Sequence, residues 1–223
     1  MTTNSALRII MLGPPGSGKG TQATRICERY NLGHVSTGDI LRRHIQQGSE
    51  LGQKAETAMA AGELLPDSLL YQMLEELYED RDGEHVSFIL DGFPRSLEQA
   101  EALEEFLQNR GQKVHQVVML MLDDEKVVAR LAGRRTCPEC GRSYHLLAAP
   151  PRIEGVCDED GTELIWRTDD HEEIIRRRLQ TYHQETEPVA TFYQEQGVLR
   201  EVDASADMDQ VEARIASGLK ELM

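Results

Sequence analysis

A doubly wound parallel α/β sheet, interrupted by one helical excursion and one small insertion, is the fold class this sequence predicts. The first reason is a set of short apolar runs at Leu7–Leu12, Val86–Leu90, Val117–Leu122 and Val198–Val202, with a weaker one at His34–Ser36. Their length and flanks suit strands buried on both faces. The second is that amphipathic helical stretches separate them, and strands alternating with helices build a parallel sheet. The third is a glycine-rich segment, Gly13 to Thr21, set between the first run and the first helix.

Each further element has its own signal. In Leu97–Leu107, Leu97, Ala100, Leu103 and Leu107 mark one helical face, while Glu98, Glu101, Glu104 and Glu105 fill the rest. Val211, Ile215, Leu219 and Leu222 repeat at helical spacing after Asp207, a suitable N-cap. Thr37–Asp80 reads as consecutive helices punctuated by Gly48, Gly62 and Pro66. Cys137–Trp166 has little periodicity and holds Pro138, Pro150, Pro151 and several glycines. Both are expected as excursions from a single domain spanning 1–223. Its core would comprise 1–35, 66–132 and 171–223, with a helical excursion at 36–65 and an insertion at 133–170. Strand order does not follow from the sequence.

A chain of 223 residues buries roughly 70–75% of its unfolded surface, so folding itself requires no disulfide or metal. Lys plus Arg number 24 against 39 Asp plus Glu, a formal charge of -15. That balance opposes nucleic acid and anionic membranes as partners, which need a basic face. It leaves room for a small anion gripped by a few arginines. No apolar run approaches the ~20 residues of a bilayer span. The apolar burst within Met1–Leu12 is too short for an export signal, so a cytoplasmic protein is expected. Cys27 stands alone in a helical stretch and reads as a core residue. The other three cysteines cluster, which favours a metal over a disulfide framework.

Gly13-Pro14-Pro15-Gly16-Ser17-Gly18-Lys19-Gly20-Thr21 has the spacing of a phosphate loop. Glycines let backbone N–H groups curl around an anion, and the helix N-terminus adds partial positive charge. Lys19 then reaches the β- and γ-phosphates. This makes the predicted sheet one of P-loop NTPase type. The general pattern has Ser or Thr directly after the lysine, whereas Gly20 intervenes here before Thr21.

That variant loop resembles the one in nucleoside monophosphate kinases, and further segments match in order. They are Ser36-Thr37-Gly38-Asp39-Ile40-Leu41-Arg42, Asp91-Gly92-Phe93-Pro94-Arg95, Gly133-Arg134-Arg135, and Trp166-Arg167-Thr168-Asp169-Asp170 followed by Arg178. Together, from about Ile9 to the last helix, they resemble an adenylate kinase of the long-lid type. The resemblance implies reversible, in-line phosphoryl transfer from Mg-ATP to AMP, giving two ADP without a covalent enzyme intermediate. An AMP phosphate is already anionic at neutral pH, so the acceptor needs no general base. Catalysis must rest on positioning and charge neutralisation.

The same resemblance assigns residues. Lys19, Arg95, Arg130, Arg134, Arg167 and Arg178 would be the catalytic cations. ATP would meet Gly16, Ser17, Gly18, Lys19, Gly20, Thr21, Arg134, Ser143, Tyr144 and the backbone of Ala206. AMP would meet Thr37, Arg42, Glu63, Leu64, Leu65, Gly92, Phe93, Pro94, Arg95, Gln99, Arg167 and Arg178. Asp91, ending an apolar run, would meet Mg²⁺ through water. Thr37 also suits a helix N-cap, and Ser96 with Gln99 has capping-box spacing. A monomer binding ATP, AMP and ADP is expected.

Cys137-Pro138-Glu139-Cys140 and Cys157-Asp158-Glu159-Asp160 give C-x₂-C, sixteen residues, then C-x₂-D. This is close to a zinc-ribbon spacing, and structural Zn²⁺ accepts a carboxylate among four ligands. Cys137, Cys140, Cys157 and Asp160 are therefore the expected ligands of a structural zinc. Pro138, Gly141, Gly155 and Gly161 supply turn residues for the two knuckles. His145 and His171 are poorly spaced substitutes for Asp160, and the alternative is free thiols or one labile disulfide. Three competing functions fit less well. A kinase for GMP, UMP or CMP is opposed by Leu64, Gln99 and the cysteine-bearing insertion. A P-loop switch is opposed by the lack of an N-K-x-D segment, and a zinc-ribbon nucleic-acid module by the net charge of -15 and few aromatics.

Overall fold

The computed structural model describes residues 6–61 and 87–222. Its elements in order are β1 (Arg8–Leu12), α1 (Lys19–Tyr30), β2 (Gly33–Ser36), α2 (Thr37–Gln46) and α3 (Glu50–Ala61). Next come β3 (Phe88–Asp91), α4 (Leu97–Gln108), β4 (Gln116–Met121), α5 (Asp124–Ala132) and a hairpin of β5 (Arg134–Thr136) and β6 (Ser143–His145). A 3₁₀ turn (Thr168–Asp170), α6 (Glu172–Thr181), a π turn (Tyr182–Thr186), α7 (Glu187–Glu195), β7 (Leu199–Asp203) and α8 (Met208–Leu219) complete the chain.

Five strands form a parallel sheet in the order β2-β3-β1-β4-β7, and β5 with β6 makes a separate antiparallel pair. Every predicted apolar run therefore becomes a strand, with boundaries moved by a residue or two. The period-2 alternation of strand side chains then divides the core in two. Ile10, Leu12, Phe88, Leu90, Val117 and Met119 face one way, against Ala100, Leu103 and Leu107 of α4 and Val189 and Tyr193 of α7. Ile9, Met11, Ile89, Val118 and Leu120 face the other, against Ala23 and Ile26 of α1 and Val211, Ile215 and Leu219 of α8. Full burial of each Val, Leu, Ile, Phe or Met side chain among these contributes about 1.5–3 kcal/mol.

Local signals fix the helix starts. Asp123, Asp207 and Ser96 cap α5, α8 and α4, accepting from the backbone N–H of Glu125, Gln210 and Gln99. Such a cap contributes about 1 kcal/mol. Cys27 is buried in the second core cluster, as expected. Two expected face residues are not core. Leu97, the first residue of α4, is 40% exposed, and Leu222 lies beyond the end of α8 and is 39% exposed. The helical excursion resolves into α2 and α3 as far as Ala61, and the rest of Thr37–Asp80 falls outside the described residues.

Between α6 and α7 the helix widens into the π turn, where the Glu187 N–H bonds Tyr182 O, five residues back. Pro188 explains it: proline has no N–H for Gln184 O and its ring would collide with that carbonyl. His183 in this turn lies 2.9 Å from Glu187 Oε2 and 3.1 Å from Asp124, joining the starts of α7 and α5. Hydrogen bonding to Glu187 outweighs partial burial and, with Asp124, raises the imidazole pKa above its ordinary 6.5. A raised folded pKa stabilises fully below the unfolded value near 6.5, and the gain is lost as pH rises through the folded value. Thermal unfolding of His183→Gln should therefore fall below the parent most at acidic pH. The gap should narrow in alkaline buffer, and an equal gap at both would show that the clamp does not titrate.

Candidate active site

The phosphate loop joins β1 to α1. Gly18 occupies the N-cap of α1 at φ 96° without a side-chain cap, so the first helical N–H groups point into the loop. Gly16 has φ 73°, and a Cβ there would sit 2.7 Å from Leu131 Cγ, so only glycine lets the loop rest on α5. Lys19 Nζ donates to the carbonyls of Gly13 and Pro14, both at 2.8 Å. Removal from water lowers its pKa to about 8; Asp91 opposes that fall, and Arg95, Arg178 and Arg134 add to it.

The departure at Gly20 has a steric account. A Cβ there would stand 3.2 Å from Asp91 Oδ2, so the side chain of the general pattern would crowd this carboxylate. Asp91 is buried at the C-terminal end of β3, beside β1. Its carboxylate thus reaches the crevice where a Mg²⁺ bound to nucleotide would sit. His34 Nε2 lies 3.8 Å from Asp91 Oδ2.

Arg95, Arg134 and Arg178 lie close enough to Lys19 to repel it, and Arg167 joins the group beside Arg178. The 3₁₀ turn presents Asp169 and Asp170, both buried. Asp169 receives Arg167 Nε at 2.9 Å and Nη2 at 2.6 Å, and Arg178 Nη1 at 2.9 Å. Burial alone would raise its pKa, but Arg178 and Arg167 outweigh that and hold it at about 2. Asp170, wholly buried, takes Arg134 Nε at 2.8 Å and Nη2 at 2.5 Å in a two-pronged bond. Burial lowers the Arg178 pKa to about 10 against the pull of Asp169, with Arg134, Arg167 and Arg95 adding repulsion. Arg95 follows the cis Phe93–Pro94 peptide; its Nε donates to Gly92 O at 2.6 Å.

The remaining expected residues divide between this crevice and its borders. Gln99 forms half a capping box: Ser96 accepts from Gln99 N–H, but Gln99 Oε1 receives Arg95 N–H at 2.8 Å instead of returning to Ser96. Ser36, not Thr37, is the N-cap of α2, and Thr37 Oγ1 donates to Asp91 O at 3.3 Å. A Cβ on Gly92 would collide with that hydroxyl at 2.5 Å, so this glycine admits Thr37. Phe93 and Pro94 are buried beside it. Arg42 pairs with Asp39 and lies close enough to Arg167 to feel its charge. Thr21 is exposed, and Ser17 is buried in the loop. Arg130 stands apart from the cluster, donating to Ala204 O at 2.8 Å, two residues from Ala206. Glu63, Leu64 and Leu65 lie outside the described residues.

In the insertion, the ligand atoms of Cys137, Cys140, Cys157 and Asp160 all lie within 4.8 Å of one another. The Cys140 and Cys157 sulfurs are 3.5 Å apart, and Cys137 Sγ is 3.3 Å from Asp160 Oδ2. Zn–S bonds of about 2.3 Å in a tetrahedron would set sulfurs about 3.8 Å apart, whereas a disulfide requires about 2.05 Å. The donor set fits a four-coordinate metal. The two knuckles repeat one design: Gly141 N–H returns to Cys137 O, Gly161 N–H to Cys157 O, and both glycines have φ 74°. Ser143 is exposed on β6; Tyr144 is buried, its hydroxyl 2.8 Å from Asp158 N and 3.5 Å from Cys157 Sγ. His145 Nδ1 accepts from Leu147 and Ala148 N–H, and His171 packs on Trp166, so neither serves the metal set.

Asp169 and Asp170 belong to a motif visible in the sequence, but the motif alone gives them no role. Their value as arginine holders emerges only from the 3₁₀ turn. His34 escapes sequence reasoning too, since a lone histidine on a weak strand carries no signal by itself.

A P-loop on a parallel sheet, ringed by arginines and flanked by a helical excursion and a small insertion, defines a P-loop phosphotransferase of the nucleoside monophosphate kinase class. Comparison with known families makes this specific. The adenylate kinase family model matches residues 11–198. Adenylate kinase from Chloroherpeton thalassium is 47% identical over 209 residues, 94% of this chain and 96% of the relative. Those of Streptomyces coelicolor and Archaeoglobus fulgidus are 45% and 44% identical, covering 96% and 97% of this chain and 99% of each relative. The chain belongs to the adenylate kinase family.

Breaking a buried ion pair by removing one partner costs about 3–5 kcal/mol. Arg134 keeps 20% side-chain exposure and recovers some hydration, so Asp170→Asn should lose no more than about 3 kcal/mol. Urea unfolding measures this, and an unchanged midpoint would show that the pair contributes no net stability.

Proposed function

We propose that this site performs reversible transfer between Mg-ATP and AMP through positioning and charge neutralisation alone. The observation that supports it is convergence. Lys19, Arg95, Arg134, Arg167 and Arg178 come from separate elements, yet Lys19 feels Arg95, Arg134 and Arg178, and Arg178 feels Arg167 as well. So many cations at one crevice suit a polyanion whose charge spreads over equatorial oxygens during transfer. In this reading the uncapped start of α1 and residues Gly16–Thr21 hold the donor phosphates. Lys19 exchanges its carbonyl partners for phosphate oxygens. Arg134 stays on the donor side, with Ser143, Tyr144 and the Ala206 backbone bordering the rest of ATP; Arg130, expected among the catalytic cations, instead holds the Ala204 carbonyl and takes no part in that set. Thr37, Arg42, Gly92–Arg95, Gln99 and the segment Glu63–Leu65 receive AMP, and Arg167 and Arg178 span the two phosphates. Asp91 anchors the Mg²⁺ that arrives with ATP.

Residues 133–170 are read as a lid that excludes water, which would otherwise compete with AMP as acceptor. Zinc held by Cys137, Cys140, Cys157 and Asp160 would order this lid; four protein ligands leave no position for substrate. No described helix is long and apolar enough to cross a membrane. The enzyme is read as a monomer of the cytoplasm. Supporting the compartment are the three clustered thiols, which a reducing environment keeps available to a metal.

A coupled assay offering AMP, GMP, CMP and UMP as acceptors tests the reading: AMP should be preferred, and transfer to CMP or GMP with none to AMP would overturn it. Lys19→Ala and Arg95→Ala should each lower kcat by about 10²–10³, with circular dichroism unchanged. Near-normal turnover in either would remove that residue from the site.

For the lid, elemental analysis should find about one zinc per chain, lost in the Cys137→Ser, Cys140→Ser double variant. Tm should fall more than turnover at mild temperature. No metal in protein purified without chelator, together with an unchanged Tm in the double variant, would reject the metal site.

A further inference from the structure

Thr186 occupies the N-cap position of α7, where a threonine hydroxyl ordinarily accepts from the helix's first N–H groups, yet its side chain makes no cap bond. Instead Thr186 Oγ1 donates to the carbonyl of Arg95 at 2.8 Å, across 91 positions of sequence, and Thr186 is buried. The π turn makes this possible. One additional residue per turn rotates the succeeding residues by roughly 100°, and it turns Thr186 toward the loop after β3.

That loop has no ladder or helix to hold it. Arg95 N–H is taken by Gln99 Oε1 at 2.8 Å, Arg95 O by Thr186, and Arg95 Nε by Gly92 O at 2.6 Å. Three bonds thus fix the backbone and the root of the guanidinium. Both Nη groups remain without a hydrogen-bond partner among the described residues, which suits a phosphate gripped by the fork. Arg167, Arg178 and Arg134 are each held by Asp169 or Asp170, whereas Arg95 is held by neutral groups.

We infer that Thr186 is a positioning residue for phosphoryl transfer, fixing Arg95 through its main-chain carbonyl. This rests on the reading of Arg95 as a phosphate-gripping cation. Misplacing a catalytic group by about 1 Å can cost up to 10²-fold in rate. Thr186→Val keeps the shape and deletes the donor, while Thr186→Ser keeps the donor.

The experiment is a double-mutant cycle on kcat at saturating Mg-ATP and AMP, using Thr186→Val, Arg95→Ala and the pair, with Thr186→Ser as the rescue. Thr186→Val should lower kcat about tenfold with KM for ATP unchanged, and Thr186→Ser should restore it to within about threefold. In the Arg95→Ala background, Thr186→Val should change kcat by less than about twofold, since the group it positions is gone. Loss of activity in Arg95→Ala with normal turnover in Thr186→Val would overturn the inference and leave the site reading intact. So would an undiminished effect of Thr186→Val in the Arg95→Ala background, which would mark a general structural role. Near-normal activity in Arg95→Ala would overturn the site reading itself, and the inference with it.

Discussion

The mutual repulsion of five cations at one crevice is the constraint to which the rest of the site answers. Beyond the effect of burial, Lys19 is repelled by Arg95, Arg178 and Arg134, and Arg178 by Arg134, Arg167 and Arg95. At an effective dielectric of about 20, two unit charges 4 Å apart repel by about 4 kcal/mol. Three buried carboxylates offset this. Asp169 holds Arg167 and Arg178, Asp170 holds Arg134, and Asp91 draws on Lys19 and Arg95. The counterions are fixed, so the arginines are already oriented when a phosphate enters. In the proposed transfer, reorientation is thereby avoided, which is where electrostatic catalysis gains most. The overall charge of -15 is consistent with this: acid is abundant, and some of it is recruited to hold the basic site together.

Topology decides where those charges meet. β1 and β3 are neighbours, yet the helices that succeed them, α1 and α4, cover opposite faces of the sheet. Such a pair of strands opens a crevice at its C-terminal ends. The phosphate loop leaves β1 there, and Asp91 and Arg95 leave β3 there. The alternating apolar strand residues thus do two things. They bury both faces, and they bring two loops distant in sequence to one place.

Much of this was legible in the sequence, and the rest was hidden for physical reasons. The five strands, the cap at Asp207 and the phosphate loop are local patterns, readable within a few residues. The metal set was readable because paired knuckles impose a spacing, and the four donors do converge. Leu97 misled because periodicity marks a face without saying whether other residues cover its first turn. The glutamine of the expected capping box at Ser96 bonds one residue earlier, at Arg95. Spacing alone cannot distinguish these outcomes, because a neighbouring loop can claim the same side chain. Asp170 and Thr186 act through partners 36 and 91 positions away, and Asp169 holds Arg178, nine positions on, as well as its near neighbour Arg167. No local pattern reports such contacts.

The irregular turns are where regular structure would have failed the site. Pro188 removes one helical bond, and the widened turn it enforces aims Thr186 at Arg95. The 3₁₀ turn places Asp169 and Asp170 consecutively, close enough that Arg178 Nη1 sits 2.9 Å from one and 4.0 Å from the other. Consecutive residues of a 3₁₀ turn point about 120° apart, so at the head of α6 Asp169 meets Arg167 and Arg178 while Asp170 meets Arg134. Each irregular segment gives up some backbone regularity and gains a direction no helix supplies at that point. Gly20 obeys the same rule on the side-chain level. With no Cβ it leaves the Asp91 carboxylate its room at the phosphate loop, where a Cβ would stand 3.2 Å from Oδ2.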